Sequence, residues 1–100
     1  KFEFMDIRNM KFNSQSFDAI ICFGVLIHLD DDNCERVLNR FNELLKDRGL
    51  LLINAMELKN EEKEVFIPEP LNTKYKTYFN RYTKQFFLDF FDKKSIIVLR

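Results

Sequence analysis

At 100 residues the chain is long enough for one small domain and no more. Hydrophobic residues make up 46% of it, with only two Gly and two Pro, which excludes a linker or a disordered tail. Sixteen basic residues cancel sixteen acidic ones, so the chain carries no electrostatic footprint for nucleic acid or for an anionic membrane.

Phe2 to Met5 is a short apolar stretch that reads as a strand ending at Asp6. Asn13 to Ser16 is polar and turn-like. Phe17 to Phe23 is nearly continuous in apolar residues, the pattern of a parallel strand covered on both faces. The apolar run from Ala19 to Leu29 is too short to span a bilayer and is interrupted by Gly24 and His28. Cys22 and Cys34 read as reduced thiols of a cytoplasmic protein.

Asp30, Asp31 and Asp32 are good N-caps and favour the positive end of a helix. Behind them Val37, Leu38, Phe41, Leu44 and Leu45 form one apolar stripe. Lys46 and Arg48 fall in the expected last turn, with Gly49 as the stop. Leu50 to Ala55 reads as another buried strand, completing a βαβ unit.

Glu57 to Glu64 is highly charged, and Pro68 and Pro70 should break any regular element in a long loop. Tyr75, Tyr78, Phe79 and Tyr82 give an aromatic patch. Thr83 reads as the N-cap of a short helix with Phe86, Phe87, Phe90 and Phe91 as its stripe. Ser95 to Leu99 reads as a last strand. The chain opens on strand-like residues without a Met and so reads as an excerpt of a longer protein.

Four segments carry a family resemblance. DIRNMKFNSQSFD, from Asp6 to Asp18, and GVLIHL, from Gly24 to Leu29, resemble a strand entrance and exit widespread in class I S-adenosylmethionine-dependent methyltransferases. LLKDRGLLLI, from Leu44 to Ile53, resembles that family's helix end, where Pro-Gly-Gly is usual and only the last glycine is kept here. YFNRYTKQFFLDFF, from Tyr78 to Phe91, resembles the aromatic start of a later helix.

The resemblance implies an α/β, Rossmann-like methyltransferase sheet of order 3-2-1-4-5-7-6, of which residues 1–100 form the C-terminal portion of one domain. Lys1 to Met5 would be the third strand, Phe17 to Phe23 the fourth, Leu50 to Ala55 the fifth and Ser95 to Leu99 the sixth. The glycine-rich cofactor loop of the family has no counterpart in the sequence. With the first two strands missing between the third and fourth, sheet edges and apolar faces would be exposed and could self-associate.

The implied cofactor is S-adenosylmethionine. Asp6 would accept a hydrogen bond from the adenine amine and the Ile7 amide would donate to a ring nitrogen; otherwise Asp6 is a turn cap. Backbone at Cys22, Phe23 and Gly24 would meet the methionine moiety, Gly24 by permitting close approach; otherwise these residues pack and turn. His28 is either a base near the sulfonium or a satisfied residue of the turn. Tyr78 and Tyr82, with Tyr75 and Arg81 beside them, line an acceptor pocket or fill core under a loop.

No metal site is expected, since the acidic run lacks calcium-loop spacing and Cys22, His28 and Cys34 lack zinc spacing. The implied function is methyl transfer to a small-molecule or protein acceptor. A degenerate methyltransferase-like binding module without activity is the alternative.

Overall fold

The computed structural model describes residues 2–92. Two strands and the helix between them organise it. Strand β1 spans Phe17–Cys22, helix α1 spans Asp31–Leu44 and strand β2 spans Leu45–Ile53. β1 and β2 pair in parallel, with Ala19 opposite Leu50 and Cys22 opposite Ile53. This is the βαβ unit that the sequence leads one to expect.

The start of α1 is set by Asp30. Its carboxylate accepts the amide of Asn33 at 2.8 Å, and its carbonyl accepts the amide of Cys34 at 2.8 Å, closing the first helical turn. The apolar stripe does the rest. Cys34, Val37, Leu38, Phe41 and Leu44 are all buried, and four of them share a core cluster with Cys22, Ile20, Leu51 and Ile53 from the strands. At about 25 cal/mol per Å2 of apolar area, that burial is the main term holding helix to sheet.

The end of α1 differs from expectation. The helix stops at Leu44, before Lys46 and Arg48, and Gly49 is not its left-handed stop. The last carbonyls are capped from elsewhere: the amides of Gln15 and Ser16 donate to Glu43 and Leu44 at 2.9 Å each. Orphan carbonyls at a helix end need partners, and here the turn before β1 supplies them. The extra residues Lys46–Gly49 bulge out of the ladder, which shifts register between Phe17 and Ala19. Arg48 takes the left-handed conformation at φ 65. Gly49 is needed for close approach instead, because a β-carbon there would sit 2.9 Å from the Lys46 carbonyl and 3.2 Å from that of Asp18.

Downstream, the expected long loop is largely a sheet. Strand β3 is Met56–Glu57, β4 is Glu64–Pro68 and β5 is Lys76–Tyr82, in the order β3-β5-β4. β3 runs parallel to β5, and β4 pairs antiparallel with it from Glu64 opposite Asn80 to Pro68 opposite Lys76. Pro68 ends β4 rather than abolishing it, as an edge strand allows. Helix α2, Lys84–Asp92, starts where Thr83 Oγ1 accepts the amide of Phe86 at 3.1 Å. Its phenylalanines meet Tyr82, with ring centroids 5.2 Å away for Phe86 and 5.3 Å for Phe87.

Phe2 to Met5 is not a strand. Phe2 and Phe4 are fully exposed, and no described strand lies beside them to satisfy a ladder. The expected strand Ser95 to Leu99 lies outside the described residues. The expectation that both faces of β1 are covered also fails. Ile20 and Cys22 face α1, whereas Ile21, Phe23, Leu50 and Leu52 are 67%, 56%, 64% and 47% exposed on the other face. One helix layer covers one face of a sheet, and among the described residues nothing lies on the second.

Candidate functional site

The carboxyl ends of β1 and β2 form a rim. Parallel strands present their carboxyl ends together, and in open α/β sheets ligands bind outside that edge. Cys22 and Ile53 lie level in the ladder, so the residues that leave them, Phe23–Gly24 and Asn54–Ala55, lie side by side. Cys22 is buried, while Phe23 and Gly24 are exposed. Gly24 has φ +71, the left-handed region that glycine enters at no steric cost, and a β-carbon there would meet no atom within 4 Å. The space over Gly24 is therefore open. Its amide donates to Oδ1 of Asn54 at 2.8 Å, tying the two strand exits together.

From Gly24 the chain enters a 3-10 turn, Leu26–His28, that is held from β5 at several points. The Tyr82 hydroxyl donates to the Leu26 carbonyl at 2.6 Å and also contacts that of Leu29. Asn80, fully buried, donates its amide to the Leu29 carbonyl at 2.9 Å and to Asp31 Oδ1 at 3.0 Å. Nδ1 of His28 bonds the Tyr78 carbonyl at 2.9 Å. A carbonyl can only accept, so the His28 proton sits on Nδ1.

Lys63 completes this brace. Its ammonium donates to Asp31 at 2.7 Å, to Asn80 Oδ1 at 3.1 Å and to the Arg81 carbonyl at 2.8 Å. Burial works to raise the Asp31 carboxyl, but the bonds from Lys63 and Asn80 and the Lys63 charge outweigh it and hold the carboxyl below its ordinary value. Burial pushes the Cys34 thiol up to about 11, and pushes the hydroxyls of Tyr82 and Tyr78 well above theirs. Cys22 and Cys34 are free and buried.

Beside the rim lies a hollow of about 380 Å3. Tyr82, Phe87, Leu88 and Ile53 are among its apolar lining, and Asn54, Glu57 and Lys84 are polar. Tyr82 thus borders it while its hydroxyl is committed to the turn. Tyr78 does not line it: its hydroxyl donates to Glu64 at 2.7 Å and its ring packs 5.3 Å from that of Phe66. The two tyrosines of the expected acceptor pocket are therefore not brought together. Arg81 is likewise engaged, donating to the Glu62 carbonyl at 2.5 Å, and Tyr75 is exposed.

Asp6 caps a separate 3-10 turn, Ile7–Asn9, and its carboxylate is gripped by Arg8. Oδ1 accepts the Arg8 amide at 2.9 Å and Nε at 3.0 Å, and Oδ2 accepts Nη2 at 2.7 Å. The Arg8 side chain, then its amide, hold the Asp6 carboxyl down to about 2. Three of roughly four lone-pair sites are in use, which leaves about one for a ligand donor. Ile7 is half-buried against the core cluster, and the Arg40 guanidinium ties the following segment down through the carbonyls of Met10 and Phe12. A larger groove of about 530 Å3 lies between this segment and α1, with mixed charges and no lining residue in common with the rim.

Asn54, Asn80, Lys63 and Arg40 were not singled out by the sequence. Only Asn54 carried a local signal, as a polar residue directly after an apolar strand. Among the described residues no three of His, Cys, Asp and Glu converge to hold a metal, and no helix is long and apolar enough to cross a membrane.

A βαβ unit with an open glycine at its carboxyl rim defines part of a Rossmann-like ligand-binding domain. Residues 1–75 match the model of the CheR methyltransferase, SAM binding domain, and the chain belongs to that family. Its cofactor is S-adenosylmethionine. A chemotaxis protein methyltransferase of Klebsiella aerogenes is 49% identical over 41 residues, which is 41% of this chain and 14% of that protein. The PH0226 protein of Pyrococcus horikoshii OT3, known as a crystal structure, superposes with a TM-score of 0.63 at 17% identity, over 89% of this chain and 47% of that one. That likeness speaks to the fold. The chain spans less than half the length of either relative.

The rim fits an adenosyl ligand in part. Open space over Gly24 and the exposed ring of Phe23 suit it, while a glycine-rich loop for its carboxylate is not in these residues.

Proposed function

We propose that this chain supplies the carboxyl-rim half of a methyltransferase active site, which transfers the methyl group of S-adenosylmethionine to a small-molecule or protein side-chain acceptor. The observation that carries the reading is Gly24: left-handed, exposed, with empty space where a side chain would stand, at the exit of a parallel strand. Membership of a SAM-binding family supports S-adenosylmethionine as the occupant of that space.

The cofactor supplies an electrophilic methyl on a sulfonium, so the reaction is an in-line displacement that needs alignment and a dry site more than acid–base chemistry. Cys22, Phe23 and Gly24 would hold its methionine portion through backbone, and Asp6 and the Ile7 amide its adenine. The acceptor would lie in the hollow beside Asn54, with the Tyr82, Phe87 and Leu88 surfaces excluding water. Tyr78 has no part in this pocket. His28 braces the turn through Tyr78, and no proton is routed through it. Nucleic acid and membrane stay outside the proposal, since no net charge draws them.

Titration calorimetry of the full-length protein with S-adenosylhomocysteine tests this. Gly24→Asn is the matched variant, because Asn tolerates the left-handed backbone yet fills the open space. Binding by the wild type and a loss of about tenfold or more in the variant are expected, a loss worth about 1.4 kcal/mol. No binding by the wild type would defeat the reading.

The bare face of β1 and β2 favours a second reading, an inactive module that docks a partner or another copy through Ile21, Leu50 and Leu52. It would be preferred if the full-length protein bound no cofactor yet lost self-association on Ile21→Lys.

A further inference from the structure

We infer that Asn54 is the positioning residue of the cofactor rim. The β1–β2 ladder ends at Cys22 opposite Ile53. Beyond it the chains part, one into the Leu26–His28 turn and the other into β3. Across that gap runs the bond from the Gly24 amide to Asn54 Oδ1, at 2.8 Å. Gly24 has no side chain to anchor it, and a glycine visits positive and negative φ about equally when free. The asparagine carbonyl selects one of those states. The bond also fixes the asparagine: with Oδ1 committed to Gly24, its Nδ2 is the end left to face outward. Asn54 borders the hollow as well, so one side chain sets the backbone under the cofactor and the wall beside the acceptor.

This rests on Gly24 being part of the cofactor site, and the experiment separates the two claims. S-adenosylhomocysteine is titrated by calorimetry into full-length wild type, Asn54→Ala, Asn54→Asp and Asn54→Gln, with thermal midpoints recorded alongside. Asn54→Ala is expected to weaken binding about five- to tenfold, the worth of one hydrogen bond. Asn54→Asp keeps an oxygen for the Gly24 amide and is expected to bind within about twofold of wild type. Asn54→Gln moves that oxygen by one methylene and is expected to follow alanine, and it decides the question if alanine does not fold. Unchanged affinity in Asn54→Ala or in Asn54→Gln, or Asn54→Asp as weak as alanine, overturns the inference and leaves the proposed function standing. A wild type that does not bind defeats both.

Discussion

The hydroxyl of Tyr82 donates to the carbonyl of Leu26 across 56 residues of chain, at 2.6 Å, in a position only 1% exposed to solvent. It also contacts the Leu29 carbonyl, which accepts from Asn80, so the phenol lies against both ends of the turn that follows the candidate site. Tyr82→Phe keeps the ring packed at a tilt against Phe86 and Phe87 and removes only the oxygen. The buried Leu26 carbonyl then loses its side-chain donor. A loss of about 1–3 kcal/mol in unfolding free energy is expected, read by denaturant titration at unchanged slope.

Asn80 shares the Leu29 carbonyl with Tyr82. Asn80→Ala also strips Lys63 and Asp31 of one partner each. The two substitutions should therefore not add. The double variant Asn80→Ala/Tyr82→Phe is expected to depart from the sum of the singles by about 0.5 kcal/mol or more, as residues in one network do. Strict additivity in a double-mutant cycle would show the brace to be two separate contacts.

How far this architecture could be read in advance depends on the reach of each signal. The N-cap at Asp30, the α1 stripe and the Thr83 cap are local, and each stands where the residues put it. Gly24 and the parallel pair β1–β2 were legible because apolar runs and a glycine exit are local too. β5 was missed although Thr77, Tyr78, Phe79 and Tyr82 have the composition of a strand. Both faces of β5 are partly covered, so it shows no polar alternation, and Asn80 and Arg81 hide it further. The Lys63–Asp31–Asn80 cluster spans 17 to 49 positions of sequence separation, and no spacing rule anticipates it. The Phe2–Met5 strand was expected from its apolar residues and from the family resemblance, but a strand needs a neighbour, and none is present among the described residues.

The helix-to-strand junction gives opposite expectations for adjacent residues. A β-carbon at Gly49 would press on two backbone carbonyls and on Leu45 Cδ2 at 2.9 Å. Backbone cannot step aside cheaply, so Gly49→Ala is expected to cost about 1–3 kcal/mol. Arg48 holds the left-handed conformation at φ 65, where the family pattern has glycine. Arg48→Gly relieves roughly 1 kcal/mol of strain and gives back part of it as chain entropy, for a net gain of up to about 0.5 kcal/mol. Thermal midpoints moving in the same direction for both variants would contradict this account.

The Asp6–Arg8 pair makes a prediction in pH. The Asp6 carboxyl is depressed from 3.8 to about 2, first by the Arg8 side-chain bond and then by the Arg8 amide. A carboxyl lowered in the folded state binds fewer protons there than in the unfolded chain, so its contribution to stability is complete above pH 3.8 and fades as pH falls toward about 2. Asp6 is solvent-exposed, so the effect on global stability is small and the site itself is the better reporter. A carboxyl-carbon NMR titration of Asp6 is expected to give a midpoint near 2 in the wild type. In Arg8→Gln, which removes both side-chain bonds, the midpoint should climb toward 3.8 while the amide bond keeps it from arriving there. If adenine does bind at Asp6, saturating S-adenosylhomocysteine should add an amine donor to the last acceptor site and drive the midpoint lower still. A midpoint that the ligand leaves in place would detach Asp6 from the cofactor and leave it as a turn cap.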